Sequence, residues 1–197
     1  FFGYKNHIAM TEEGIITGLS VTNGTTADNK EFENIVNQTL EIGVEVGTDV
    51  PYCLHGTTAF VGGKGEIVQP LKPMPQCWVV LVKPRLSVST RKIFQKVQDT
   101  NQLYHPNMTR LSQAILDEDY DQMLQYMGNS LEDITIPKHP IVQQIKDRMM
   151  KYGADIALMS GSGPTVFALC RQHSRAQRIY NGLKGFCDEV YLVRTLK

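Results

Sequence analysis

One stretch constrains the fold of this chain more than any other: Gly153-Ala-Asp-Ile-Ala-Leu-Met-Ser-Gly-Ser-Gly-Pro-Thr-Val-Phe-Ala-Leu169. Two apolar runs, Ile156 to Met159 and Val166 to Leu169, flank the polar core Ser160-Gly161-Ser162-Gly163-Pro164-Thr165. Short apolar runs bounded by glycine and proline predict two strands joined by a tight turn. Glycines in the turn allow positive φ and a close approach of the backbone to another group. Successive amides without side chains can then form a concave donor site for an anion. A hairpin without a ligand accounts for the glycines equally well, but it does not account for the hydroxyls of Ser160 and Ser162 between them.

Around this hairpin the pattern predicts an α+β chain. Trp78 to Pro84 reads as a buried strand, followed by a helix capped by Ser89 or Thr90 with Ile93, Phe94 and Val97 facing inward. Residues 99–107 read as loop, and Leu111 to Leu116 and Tyr120 to Met127 as helices separated by acidic residues. Gly128 to Asp133 breaks the pattern. His139 to Lys151 is the best helical stripe, its Met149-Met150 pair is expected in the core, and Gly153 provides a stop. A helix over Ser174 to Leu183 and a strand over Glu189 to Val193 close the chain. From Trp78 onward the order strand, helices, strand, strand, helix, strand predicts the split βαβ of a ferredoxin-like sheet.

The first part is less regular. Ile8 to Met10 and Gly14 to Leu19 could be short strands, and Gly18 to Asp28 reads as a polar loop. Residues 31–46 carry an imperfect helical stripe that Gly47 would end. Asp49 stands two residues before Pro51, where a carboxylate serves as helix cap or turn former. His55 has no second histidine or carboxylate to make a ligand set, and Gly62-Gly-Lys-Gly65 is better explained by a hairpin turn than by a phosphate loop.

Composition excludes some partners. Lys+Arg and Asp+Glu both number 20, so no global field would recruit nucleic acid or an anionic membrane, and any anionic ligand must be held locally. Cys53, Cys77, Cys170 and Cys187 show no metal-ligand spacing, so no protein metal site is expected and a reduced, cytoplasmic protein is. The start at Phe1-Phe2-Gly3 leads to the expectation of a fragment.

Met159-Ser-Gly-Ser-Gly-Pro-Thr-Val-Phe-Ala-Leu169 resembles the third, C-terminal signature of the GHMP kinases. Gly47-Thr-Asp-Val-Pro-Tyr-Cys53, Trp78 to Pro84, Asn129-Ser-Leu-Glu132, Lys138-His-Pro140 and Glu189 to Arg194 are similar to one branch of that superfamily. That branch acts on a cytidine-diphosphate-linked substrate. The resemblance runs from about residue 40 to the end. It implies a two-domain α+β sandwich, with residues 1–75 the remainder of the N-terminal domain and 76–197 the C-terminal domain. It implies ATP-dependent phosphorylation of a hydroxyl on the erythritol part of that substrate, in non-mevalonate isoprenoid precursor synthesis, with Mg²⁺ accompanying ATP.

By the same resemblance Asp49 takes the catalytic position, accepting the proton of the attacking hydroxyl, and Gly161, Ser162 and Gly163 shape the floor near the phosphates. The expected partner is that small molecule, with no nucleic acid and no membrane, and the oligomeric state is open. The family's first signature is absent and its second, expected within Gly18 to Asp28, lacks consecutive glycines. The resemblance therefore implies a chain truncated or diverged at its N-terminus. The alternatives are a GHMP-fold remnant acting as a nucleotide- or protein-binding module, and another GHMP enzyme such as a homoserine or mevalonate-pathway kinase.

Overall fold

The computed structural model describes residues 4–10, 16–23, 52, 57–63, 67–98 and 103–195. The first sheet comprises β1 (Tyr4–Met10), β2 (Ile16–Asn23), β3 (Ala59–Gly62) and β4 (Ile67–Pro70), in the order β2-β1-β3-β4. β1 pairs antiparallel with β2 and parallel with β3, and β3 pairs antiparallel with β4. Gly63, at φ 65°, follows β3 in the β3–β4 connection, as expected for the glycine-rich turn there.

The second sheet begins with β5 (Trp78–Lys83). Five helices follow: α1 (Thr90–Gln98), α2 (Met108–Leu116), α3 (Tyr120–Tyr126), α4 (Glu132–Thr135) and α5 (Ile141–Lys151). Then come β6 (Ile156–Met159), β7 (Val166–Cys170), α6 (His173–Lys184) and β8 (Glu189–Arg194). The order β6-β7-β5-β8, antiparallel throughout, is the ferredoxin-like arrangement anticipated from the element order.

Both faces of this sheet are covered, which is why β7 is apolar and buried along its whole length instead of alternating. Val80, Val82, Val166 and Ala168 pack with Val142, Ile145 and Met149 of α5 and Ile179 and Leu183 of α6. Val79, Phe167 and Leu169 point the other way, into a cluster with Leu111, Ile115 and Met123 of α2 and α3. The period-2 alternation of β5 feeds two cores at once.

Four expectations are corrected. Gly18 to Asn23 belong to β2 and not to a loop, with Leu19 opposite Ile8 and Val21 opposite Asn6. The β-branched Val21 and Thr22 suit a pleated strand once β1 offers the pairing. Glu132 to Thr135 form a helical turn that begins within the Gly128 to Asp133 segment read as a break. Phe94 is 40% exposed, because Ile93 and Val97, one turn apart, take the inward stripe of α1. Met150 is 48% exposed for the same geometric reason: α5 buries Val142, Ile145 and Met149. The helix expected over 31–46, together with Gly47, Asp49, His55 and residues 99–102, lies outside the described residues.

Candidate anion-binding loop

The β6–β7 turn is built almost entirely from backbone. Gly161 and Gly163 have φ of 53° and 85°, and the Gly163–Pro164 peptide is cis. Within the turn, the Ser160 amide donates to the Thr165 carbonyl at 2.8 Å and the Gly163 amide to the Ser160 carbonyl at 2.9 Å. A Cβ on Gly163 would stand 2.7 Å from Met159 Sδ and 3.3 Å from Thr135 Cγ2. Glycine is therefore required there by packing as well as by φ.

The chain around 129–135 holds the inner side of the turn. Asn129 Nδ2 donates to the carbonyls of Met159 (2.9 Å) and Gly161 (2.8 Å), while its Oδ1 accepts the Leu131 amide at 2.9 Å. Thr135 Oγ1 donates to the Ser162 carbonyl at 3.2 Å. Glu132 Oε1 accepts the Met159 amide at 2.6 Å, and its Oε2 forms an ion pair with Lys146 of α5, both side chains being largely buried. These partners were not anticipated as site residues. The one available signal was the polar pair Asn129 and Glu132 inside a segment otherwise read as a break.

The C=O and N–H of one peptide point in opposite directions. The carbonyl of Ser160 is held by the Gly163 amide and that of Gly161 by Asn129, so the amides of Gly161 and Ser162 each point away from those partners. Among the described residues neither amide has an acceptor. The Ser162 hydroxyl lies 2.9 Å from that of Thr90, the first residue of α1. The first turn of α1 has no acidic residue and carries the exposed Arg91 and Lys92. Cations at the positive end of a helix are unfavourable, and an anion seated there relieves them. The 2.9 Å contact thus sets Ser162, in a turn with acceptor-free amides, beside the first residue of a helix whose first turn is cationic, a combination that can hold a phosphate-like group.

Gly161, Ser162 and Gly163 lie in this turn, whereas Asp49 lies outside the described residues. Of the expected second phosphate loop, Gly18 to Asn23 are strand and 24–28 lie outside them too. Among the described residues no group of three or more His, Cys, Asp or Glu is placed to hold a metal ion. Among the described residues no helix is long and apolar enough to cross a membrane.

Residues 111–189 match the family model described as GHMP kinases C terminal. This region is a GHMP kinase C-terminal domain. The chain around it is 63% identical over 162 residues to the 4-diphosphocytidyl-2-C-methyl-D-erythritol kinase of Enterococcus faecalis, covering 82% of this chain and 57% of that protein. It is 53% identical to the kinase of the same name from Levilactobacillus brevis, covering 79% of this chain and 55% of the relative. The chain therefore spans little more than half the length of these relatives.

Among solved structures, a 4-(cytidine 5'-diphospho)-2C-methyl-D-erythritol kinase superposes with a TM-score of 0.64 at 25% identity, over 79% of this chain and 56% of that one. A homoserine kinase from Cytophaga hutchinsonii superposes with a TM-score of 0.63 at 21% identity, over 84% of this chain and 58% of that one, a likeness of fold alone.

Proposed function

We propose that this chain is part of a kinase that transfers a phosphoryl group from ATP to a hydroxyl of 4-diphosphocytidyl-2-C-methyl-D-erythritol, in non-mevalonate isoprenoid precursor synthesis. The observation that carries this reading is the pair of amides at Gly161 and Ser162 that have no acceptor among the described residues, with the Ser162 hydroxyl beside the start of α1. Phosphoryl transfer asks a protein chiefly to position the reactants and neutralise phosphate charge. An acceptor-free amide pair does both without side-chain reorganisation. ATP, with Mg²⁺ on its phosphates, supplies the transferable group.

In this reading Gly161, Ser162 and Gly163 form the floor on which a phosphate rests, Thr90 and Ser162 add hydroxyl donors, and Asp49 accepts the proton of the attacking hydroxyl. The small-molecule substrate is the partner, with no role for nucleic acid or membrane. The division into residues 1–75 and 76–197 follows the change from the first sheet, ending at Pro70, to the second, starting at Trp78. A cytoplasmic site of action suits the free thiols of Cys77, Cys170 and Cys187.

The test is calorimetric titration of this chain with Mg·ATP and then with the cytidine-diphosphate substrate. Micromolar binding of ATP that is competed by tripolyphosphate is expected. A folded chain that binds neither compound would overturn the reading.

A further inference from the structure

We propose that Asn129, Glu132 and Thr135 are positioning residues, which set the direction of the Gly161 and Ser162 amides and so the phosphate affinity of the loop. The inference rests on the kinase reading above and deepens it. A six-residue turn with two positive-φ glycines has many backbone conformations open to it, most of which would not present adjacent amides on one side. Here each bond from the 129–135 segment removes one of those freedoms.

Asn129 fixes the carbonyls on either side of Ser160, and its Oδ1 is in turn fixed by the Leu131 amide, so the side chain has no spare hydrogen-bonding group with which to swing away. Thr135 fixes the carbonyl that follows, that of Ser162. Glu132 anchors the last residue of β6 through the Met159 amide, and Lys146 holds the carboxylate from the other side. Asn129 is 4% exposed and Thr135 fully buried, so neither side chain is available to touch a substrate. Their contribution can only pass through the loop.

A charge pair that merely stabilised the fold would act through Lys146 alone, whereas a positioning device acts through the acceptor on the Met159 amide. Two double variants separate these roles. Glu132→Gln with Lys146→Met removes both charges but keeps an oxygen for Met159; Glu132→Leu with Lys146→Met removes the charges and the oxygen, at similar volume. The first is expected to bind Mg·ATP within about twofold of the unaltered chain, and the second about tenfold more weakly, the weight of one hydrogen bond. The leucine variant should also melt a few degrees lower than the glutamine variant, because the buried Met159 amide loses its acceptor. Equal affinities in two folded variants would overturn the proposal.

Should the leucine variant fail to fold, Thr135→Val decides: it deletes only the donor to Ser162, and a few-fold loss of affinity is expected in a folded variant that melts only a few degrees lower. Unchanged affinity would again overturn the proposal. Amide NMR signals of Gly161 and Ser162 keep this test separate from the kinase reading. If the unaltered chain binds no ATP, the kinase reading fails. The positioning role then stands if the leucine or valine variant shifts those signals and the glutamine variant does not, and falls otherwise.

Discussion

The β6–β7 hairpin has two ends, and they treat their polar groups in opposite ways. At the open end Asp155 is saturated: it accepts the Arg171 amide at 2.6 Å, the Tyr120 hydroxyl at 3.0 Å and Arg175 Nη1 at 3.0 Å. Arg171 pairs with Asp121 at 2.9 Å and stacks over the Tyr120 ring at 4.6 Å. A hollow of about 400 Å³ lies among these residues, yet its charges already have partners. At the closed end the one buried pair described, Glu132 with Lys146, is spent on the Met159 amide, and among the described residues the adjacent amides of Gly161 and Ser162 have no acceptor. The contrast separates concavity from recognition. A hollow whose charges are mutually neutralised is structural, whereas a turn with its Ser160, Gly161 and Ser162 carbonyls tied down and its Gly161 and Ser162 amides without acceptors is prepared for an anion.

Substitution of one positive-φ glycine on each side of β6, Gly153 and Gly163, tests this contrast. Gly163→Ala should have the larger effect. A side chain at φ 85° costs about 1–2 kcal/mol, and the 2.7 Å approach to the buried Met159 adds about 1–3 kcal/mol. Thermal unfolding should show a drop of roughly 2–4 °C per kcal/mol, together with loss of ATP affinity. Gly153→Ala, at the saturated end, meets only Arg175 at 3.8 Å. It should therefore cost about 1–2 kcal/mol, from φ alone, and leave ATP affinity unchanged. Equal destabilisation by the two would show that the close approach at Gly163 contributes nothing.

The smallest effect is silent at neutral pH. Burial pushes the Cys77 thiol from 9.0 to about 12 and, with the Asp155 charge as a lesser cause, the Cys170 thiol to about 11. Above pH 9 the unfolded chain gives up these protons while the folded chain keeps them, so stability should fall between pH 9 and about 12 and be indifferent to both thiols below pH 9. Urea unfolding at a series of pH values checks this, and Cys170→Ala should flatten the alkaline slope.

Much of the second sheet was legible in the sequence. Apolar runs bounded by glycine and proline located β5 through β8, and their order with the helices anticipated the strand arrangement. Errors arose where one residue's neighbours decided its side. Phe94 and Met150 each follow a residue that takes the inward stripe, and a count of apolar positions cannot rank the two. Small polar residues disguised the second half of β2 until β1 supplied its pairing.

The loop glycines were visible as punctuation, but the side chains that orient the loop were not. Asn129 reaches carbonyls 30 and 32 positions away and Glu132 an amide 27 away, distances over which local pattern carries no information.

β5 also governs how the chain must assemble. It is central in the second sheet, yet both its neighbours are made long after it, and the bond from the Cys77 amide to the Thr195 hydroxyl joins residues 118 apart in sequence. During synthesis the apolar Val79-Val80-Leu81-Val82 run leaves the ribosome first and waits with both edges unpaired until β7 and then β8 emerge. Such late closure makes for a slow-folding sheet. The chain spends its most vulnerable interval with the middle of its sheet already made and the outermost strand still to come.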